Sequence, residues 1–325
     1  MSLRQLGRSP LQVSSLCFGG NVFGWTVDER TTFTLLDAWL DEGFNFIDTA
    51  DVYARWVPGH AGGESETLIG KWLHARGSRD RVVLATKVGL DMGEGRVGLK
   101  PERIRQAVEE SLRRLRTDYI DLYQAHKDDE QTPLEETLEA FASLVAAGKV
   151  RVLGASNYSA ARLKQALQAS EREALPRFEC LQPLYNLHDR AEFERELAPL
   201  CASEGVGVIN FYALAAGFLT GKYRSAEDAA KSARGARVVP RYLNARGLAI
   251  LAALDTVARR NDCQPGQVAV AWLLAQPVVT APIASASSLP QLKELAAAAR
   301  LRLAAEDLAL LDQASSEAAG ADRNG

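Results

Sequence analysis

Eight apolar strand-like runs, each followed by a stretch with helical spacing, predict a (β/α)8 TIM barrel for this 325-residue chain. Strands that alternate with helices pair in parallel, and eight such units suit closure better than an open doubly wound sheet. Polar or aromatic residues follow nearly every strand, whereas the strands begin in turns and ordinary charges. That asymmetry is the pattern of a site at the C-terminal rim. A single domain over residues 1–314 is expected, with a small, polar and flexible tail over 315–325.

The turn residues Gly7-Arg-Ser-Pro10 between short extended pieces predict a small N-terminal β-hairpin plug. Val13 to Phe18 reads as the first strand, closed by Gly19-Gly20. Asp28 can cap a helix whose apolar face is Phe33, Leu36 and Leu40, with Gly43 as a left-handed stop. The strand Phe44–Ile47 leads to a Gly-rich loop from Arg55 to Gly63. A helix with Leu68, Ile69, Trp72 and Leu73 on one face follows.

Arg81–Thr86 is the third strand, and Pro101 opens a helix with Ile104, Val108, Leu112 and Leu115 at helical spacing. After the strand Tyr119–Tyr123, Thr132-Pro-Leu-Glu135 reads as a capping box. It heads a helix bearing Leu134, Leu138, Phe141 and Val145, stopped at Gly148. Strands Val150–Ala155, Phe178–Gln182, Gly207–Asn210 and Val278–Ile283 complete the set. Helical segments lie around Leu163 and Leu167, then at Phe193–Leu200, Gly247–Arg259 and Val268–Leu274, and a C-terminal helix ends the domain.

Composition narrows the partners. A net charge of −3 lacks the cationic surplus that a phosphate backbone requires, so nucleic acid is excluded as the main partner. No apolar run approaches the roughly 20 residues of a membrane span, and the N-terminus lacks the apolar core of a signal peptide. No membrane partner and a cytoplasmic location are expected. Cys17, Cys180, Cys201 and Cys263 are widely spaced and read as reduced packing residues. His60 and His188 read as loop residues, and no metal-ligand spacing is present.

The chemistry gathers at the rim. Asn45-Phe-Ile-Asp48-Thr-Ala-Asp-Val-Tyr53 ends a strand on a carboxylate, with a tyrosine five residues later. Lys87 ends the third strand and His126 lies just past the fourth, so adjacent strands can bring all four side chains together. A tyrosine hydroxyl, with a reference pKa of about 10, is a poor acid at neutral pH. A nearby ammonium from Lys87 favours the phenolate and lowers that value, while Asp48 keeps the lysine charged and oriented. His126 can hydrogen-bond a substrate oxygen. Singly, each residue reads more readily as an ion pair or loop surface; their joint placement points to proton delivery to a carbonyl.

The chain resembles the aldo-keto reductase superfamily over nearly its whole length. The Asp48–Tyr53 segment with its preceding Gly43-Phe-Asn-Phe-Ile is similar to the family's first signature, and Gly63-Glu-Ser-Glu66 to the segment after it. Ala85-Thr-Lys87 and Gln124-Ala-His126 match the Lys and His motifs. Gly154-Ala-Ser156-Asn157, Gln182-Pro-Leu-Tyr-Asn186 and Leu214-Ala-Ala-Gly217-Phe-Leu-Thr-Gly-Lys222 match cofactor-binding segments. The resemblance implies Tyr53 as general acid, Lys87 and Asp48 as its support, and His126 as the residue orienting the carbonyl. It implies NADPH lying extended across the rim, with NADH left open. Gly20, Asn21, Ser156, Asn157, Gln182, Phe211, Tyr212, Leu214, Gly217, Lys222, Ser285, Ser287, Gln291 and Glu294 are the cofactor residues it assigns. Ser156, Asn157 and Gln182 suit a carboxamide, and Phe211 falls where the family stacks an aromatic ring.

The chain departs from the family's pattern at four positions. Tyr212 and Ala213 stand in place of Ser-Pro, Ser285 in place of Gly, and Leu295 in place of Asn. No Arg or Lys in 284–288 meets a 2′-phosphate. Gly93-Glu-Gly95-Arg-Val-Gly98 matches G-x-G-x-x-G but opens no helix, and reads as a mobile loop.

Three functions are weighed. The leading one is an NADPH-dependent reductase of an aldehyde or ketone, acting as a monomer or small homo-oligomer. A cofactor-loaded sensor or channel-associated regulatory subunit with little turnover is the alternative. A Schiff-base barrel using Lys87 as nucleophile comes third, because it leaves the cofactor motifs unexplained. Trp25 and Trp56 are expected as aromatic pocket walls, with the 54–63 and 224–241 loops shaping the substrate.

Overall fold

The computed structural model describes residues 3–316. Its sheet has eight parallel strands in the order β10-β3-β4-β5-β6-β7-β8-β9. They span Cys17–Gly19 (β3), Phe46–Asp48 (β4), Val83–Val88 (β5), Ile120–Ala125 (β6), Val150–Ser156 (β7), Phe178–Gln182 (β8), Gly207–Val208 (β9) and Ile283–Ala284 (β10). Val279 bridges to Val208, and Ile283 N donates to Asn210 O at 2.9 Å. Those contacts join the last strand to β9 and close the (β/α)8 barrel.

The outer ring is α1 (Glu29–Asp41), α2 (Glu64–Arg76), α3 (Pro101–Leu115), α4 (Leu134–Ala146), α5 (Ala160–Arg172) and α6 (Ala198–Glu204), the last preceded by a π turn at Phe193–Leu197. Between β9 and β10 lie α7 (Gly235–Tyr242), α8 (Ala245–Arg260) and α9 (Pro265–Ala275), and α10 (Leu289–Arg300) and α11 (Ala305–Ser315) follow. Ser315 closes α11 with its hydroxyl on Leu311 O at 2.7 Å. The remainder of the expected tail, from 317, lies outside the described residues. Among these residues no helix is long and apolar enough to cross a membrane.

The expected hairpin is β1 (Arg4–Gln5) paired antiparallel with β2 (Gln12–Val13). Its Leu6, Leu11 and Val13 pack on one inward residue from each of several strands, including Cys17, Phe46, Ala85, Leu122, Val152 and Cys180. The plug therefore seals an apolar layer at the barrel's lower end. Side chains alternate along a strand, so the residue two positions on also points inward. The next layer up is Gly19, Asp48, Lys87, Gln124, Gly154 and Gln182, which is mostly polar. The site rests on that change of layer.

Several boundaries differ from expectation. Val13 belongs to the hairpin because the chain turns at Ser14, whose N–H donates to Asn45 Oδ1 at 2.8 Å. The barrel strand starts only at Cys17. Helix α1 buries Leu35, Leu36 and Trp39, leaving Phe33 and Leu40 at the margin. Trp39 takes the inner position because its indole stacks on Phe44 at 4.2 Å and donates to Phe46 O at 3.1 Å. No capping box forms at α4; Thr132 Oγ1 instead donates to Asp129 Oδ2 at 2.8 Å, and Pro133 is the cap residue. The last strand starts at Ile283, not Val278, since Pro282 lacks the N–H that would continue the ladder. Val83 begins β5 two residues late because Arg79–Arg81 forms a 3-10 turn. Gly93, Gly95 and Gly98 all have positive φ in a loop, and the next helix opens at Pro101.

Two glycines separate backbone strain from close approach. A Cβ at Gly7 (φ +59) would lie 2.1 Å from Glu179 O, whereas one at Gly148 (φ +71) would meet nothing within 4 Å. Gly148→Ala should cost about 1 kcal/mol, the penalty of the left-handed conformation alone. Gly7→Ala should cost about 3 kcal/mol or more, since the plug must also move. Urea denaturation of both variants checks the difference; equal losses would contradict it.

Candidate active site

Three strands and one turn assemble the tetrad. Asp48 ends β4, Lys87 lies near the end of β5, and His126 follows β6 directly. The segment after β4 is tied to β5 by Thr49 N to Ala85 O (2.9 Å) and Asp51 N to Lys87 O (3.2 Å). Tyr53 N then closes a turn on Ala50 O at 3.2 Å, which returns the phenol toward the barrel axis.

Lys87 is the centre of the arrangement. Its side chain is 0% exposed and that of Asp48 is 1%. The ammonium donates to Asp48 Oδ2 (2.6 Å), Thr49 O (2.7 Å) and Tyr53 OH (2.9 Å). Three donors meet three acceptors, which is the condition under which a buried ammonium is tolerated. Burial alone would lower the Lys87 pKa, but Asp48 and then Tyr53 outweigh it and hold the pKa above its ordinary value. Asp48 is fixed from its other side, where Oδ1 accepts from Gln124 Nε2 at 3.2 Å and Gln182 Nε2 at 3.0 Å.

The phenol behaves differently from the sequence expectation. Burial pushes the Tyr53 pKa up to about 12, and Lys87 only partly offsets this. Tyr53 is therefore fully protonated at neutral pH, and the lysine restrains an upward shift rather than producing a downward one. The His126 pKa is held well below 6.5 by burial and then by the Lys87 charge, so the imidazole is neutral. Its Nδ1 has no hydrogen-bond partner within the protein. The Tyr53 and His126 rings lie 6.0 Å apart.

Above these groups opens a cavity of about 820 Å³. Trp25 and Trp56 meet edge to face at 5.6 Å and line the cavity together, with Trp56 approaching the Tyr53 ring at 6.0 Å. Asn21, Ser156, Asn157, Gln182, Phe211, Tyr212, Leu214, Gly217, Lys222, Ser285, Ser287, Gln291 and Glu294 line the same cavity. Gly20 sits behind the wall, where a Cβ would meet Asp48 O at 3.0 Å. Asn157 Nδ2 donates to His126 O (2.8 Å), and Ser156 Oγ donates to Gln182 O (2.8 Å). The Gln182 amide is turned down onto Asp48. Left-handed conformations at Tyr212, Ala215, Ala216 and Gly217 curl the chain around the opposite end.

This lining fits an extended dinucleotide: an aromatic ring at Phe211, hydroxyls at Ser156, Ser285 and Ser287, and cations at Lys222 and Arg234. The 224–241 segment, expected as a loop, is folded into a 3-10 turn (Ala226–Lys231) and α7. Tyr242 OH on Asp189 Oδ2 (2.7 Å) and Arg224 on Asp255 (2.7 Å) anchor its ends. Arg234 crosses the mouth, with Nη2 3.0 Å from the Asn21 side-chain amide, which accepts from it once its O and N are assigned to satisfy both neighbours, and its guanidinium 4.9 Å from the Trp25 ring centre.

Two lining or supporting residues escaped the sequence reading. Gln124 lies two positions before His126 on β6, and strand alternation from Leu122 would have placed it inward, level with Lys87. Arg234 carried no signal, because its position depends on how the whole segment folds over the mouth. Among the described residues no cluster of His, Cys, Asp or Glu could hold a metal ion. Lys87→Met should cost about 3 kcal/mol or more at pH 7, because it leaves Asp48 buried without its cation. Chemical denaturation measures this; unchanged stability would contradict the ion pair's role.

The aldo/keto reductase family model matches residues 15–316. The uncharacterised oxidoreductase YrpG of Bacillus subtilis is 36% identical over 319 residues, covering 96% of this chain and 95% of that protein. A probable voltage-gated potassium channel subunit beta of Arabidopsis thaliana is 32% identical over 90% of each chain. The norsolorinic acid reductase of Aspergillus flavus is 32% identical over 94% of this chain and 78% of its own length. The chain belongs to the aldo/keto reductase family.

Proposed function

We propose that the protein is an NADPH-dependent carbonyl reductase acting on aldehydes or activated ketones, with Tyr53 as the proton donor. The observation that carries this reading is the bond from Lys87 Nζ to Tyr53 OH at 2.9 Å, at the floor of a cavity large enough for a dinucleotide and a substrate. When bound, the reduced nicotinamide supplies the hydride. Everything else in the reaction falls to residues of the chain.

The phenol, protonated at working pH, hydrogen-bonds the carbonyl oxygen and transfers its proton as that oxygen gains negative charge. The phenolate left behind is stabilised by the Lys87 ammonium, whose charge Asp48 balances. Neutral His126 can offer one N–H to the same oxygen without adding charge to the cavity. Trp25 and Trp56 exclude water on the substrate side. Ser156, Asn157 and Phe211 would hold the nicotinamide end, and Lys222, Ser285 and Arg234 the phosphates. Ser287, Gln291 and Glu294 would meet the adenosine end. Ser287 N and Oγ already share Gln291 Oε1, at 2.9 and 3.0 Å.

The test follows NADPH consumption with an activated aromatic aldehyde in the wild type and in Tyr53→Phe. Turnover in the wild type, with a loss of about 10²–10⁴-fold in a folded, NADPH-binding variant, is the expected outcome. Turnover that survives removal of the hydroxyl would assign the proton elsewhere. A wild type that binds NADPH but reduces nothing across a broad carbonyl panel would favour a regulatory subunit.

A further inference from the structure

Behind β5, on the wall's outer side, lies a charged cluster that the proposed reaction does not use. Asp51 is 0% exposed and stands two residues before Tyr53. Its Oδ2 accepts from Arg103 Nη2 of α3 at 2.9 Å, and its Oδ1 has no partner. Glu66 of α2, also 0% exposed, accepts from Thr86 Oγ1 and Arg114 Nε, both at 2.6 Å. Arg103 Nη1 is 3.7 Å from Glu110 Oε2, too long for a hydrogen bond. The buried Tyr123 hydroxyl of β6 has no partner. Asp51 therefore faces Glu66, Arg103, Arg114 and Tyr123, with Glu110 beyond the two arginines, and its N–H meets the Lys87 carbonyl of β5. Three carboxylates share two guanidiniums.

We propose that Asp51 and Arg103 form a positioning pair for the proton donor: their bridge ties the Ala50–Tyr53 turn to α3 and so sets the Tyr53–Lys87 distance. This rests on the reading of Tyr53 as the acid. Lys87 touches the same segment three times, through its carbonyl on Asp51 N and its ammonium on Thr49 O and Tyr53 OH. A turn that shifts disturbs all three contacts. A misplacement of about 1 Å can cost roughly 10²-fold in rate.

The pair also responds to pH. Burial, and then Glu66, push the Asp51 pKa up to about 7, against the opposing pull of Arg103 and Arg114. The shift is upward from 3.8, so Asp51 contributes stability that is fully present below 3.8 and lost as pH rises through about 7. The tie to Arg103 runs the other way, because the ionised carboxylate makes the stronger bond. Tyr53 near 12, Lys87 above its ordinary value and His126 well below 6.5 keep those three groups from titrating near neutrality. Turnover should therefore fall as pH drops through about 7.

The experiment compares wild type, Asp51→Asn and Asp51→Ala between about pH 6 and 8. It measures kcat, NADPH affinity and the ring-13C NMR signal of Tyr53, assigned by its loss in Tyr53→Phe. The expected wild-type signal shifts with a midpoint near pH 7, and that titration is absent in Asp51→Asn. Asp51→Asn should lose about tenfold in kcat at pH 8 with a flat profile, and Asp51→Ala about 10²-fold, both with unchanged NADPH affinity. A titration that persists in Asp51→Asn, or a kcat that falls only with NADPH affinity and folded fraction, overturns the pair's role. The NMR titration needs no turnover: its presence without carbonyl reduction would sink the reductase reading alone, and reduction without it would sink this one.

Discussion

A lysine ammonium buried at the centre of a barrel has to find three acceptors or lose its charge, and this constraint organises the structure around Lys87. Asp48, Thr49 O and Tyr53 OH meet it at 2.6, 2.7 and 2.9 Å. Each acceptor comes from β4 or the turn after it, so satisfying the lysine also fixes where the phenol points. The amides of Gln124 and Gln182 complete the set by holding the second oxygen of Asp48. Desolvation of the ammonium thus becomes the force that positions the Tyr53 phenol.

Layering makes such burial tolerable. Below the polar layer, the hairpin residues Leu6, Leu11 and Val13 close a tightly packed apolar floor with Phe46, Leu122 and Cys180. Gly154 leaves room at the polar level, since a Cβ there would meet Gln124 Cγ at 3.0 Å. Outside the wall, α2 and α3 bring a second set of buried charges against the same turn. The Ala50–Tyr53 turn is consequently bonded on both faces of the barrel wall: Lys87 meets Tyr53 within, and Arg103 meets Asp51 without.

Much of this was legible in the chain itself. The strand-end carboxylate, lysine and histidine announced the rim, because strand alternation and barrel closure are local rules with a global consequence. What stayed hidden depended on competition. Trp39 displaced Phe33 from the inner face of α1 through a hydrogen bond that periodicity does not encode. Burial outweighed Lys87 in setting the Tyr53 proton affinity, a balance of magnitudes that residue order cannot express. Arg234 reaches the mouth only because α7 and its flanking turn fold back over it. Asp51 and Glu66 lost their water only through the packing of α2 and α3 against the wall, which residue order does not express.

The most direct test of the central claim is a double-mutant cycle on kcat between Lys87→Met and Tyr53→Phe. If the lysine acts through the phenol, the double variant should be about as slow as the slower single variant, within roughly threefold. Losses that multiply would mean that Lys87 and Tyr53 contribute independently, and the buried ammonium would not be the support of the proton donor.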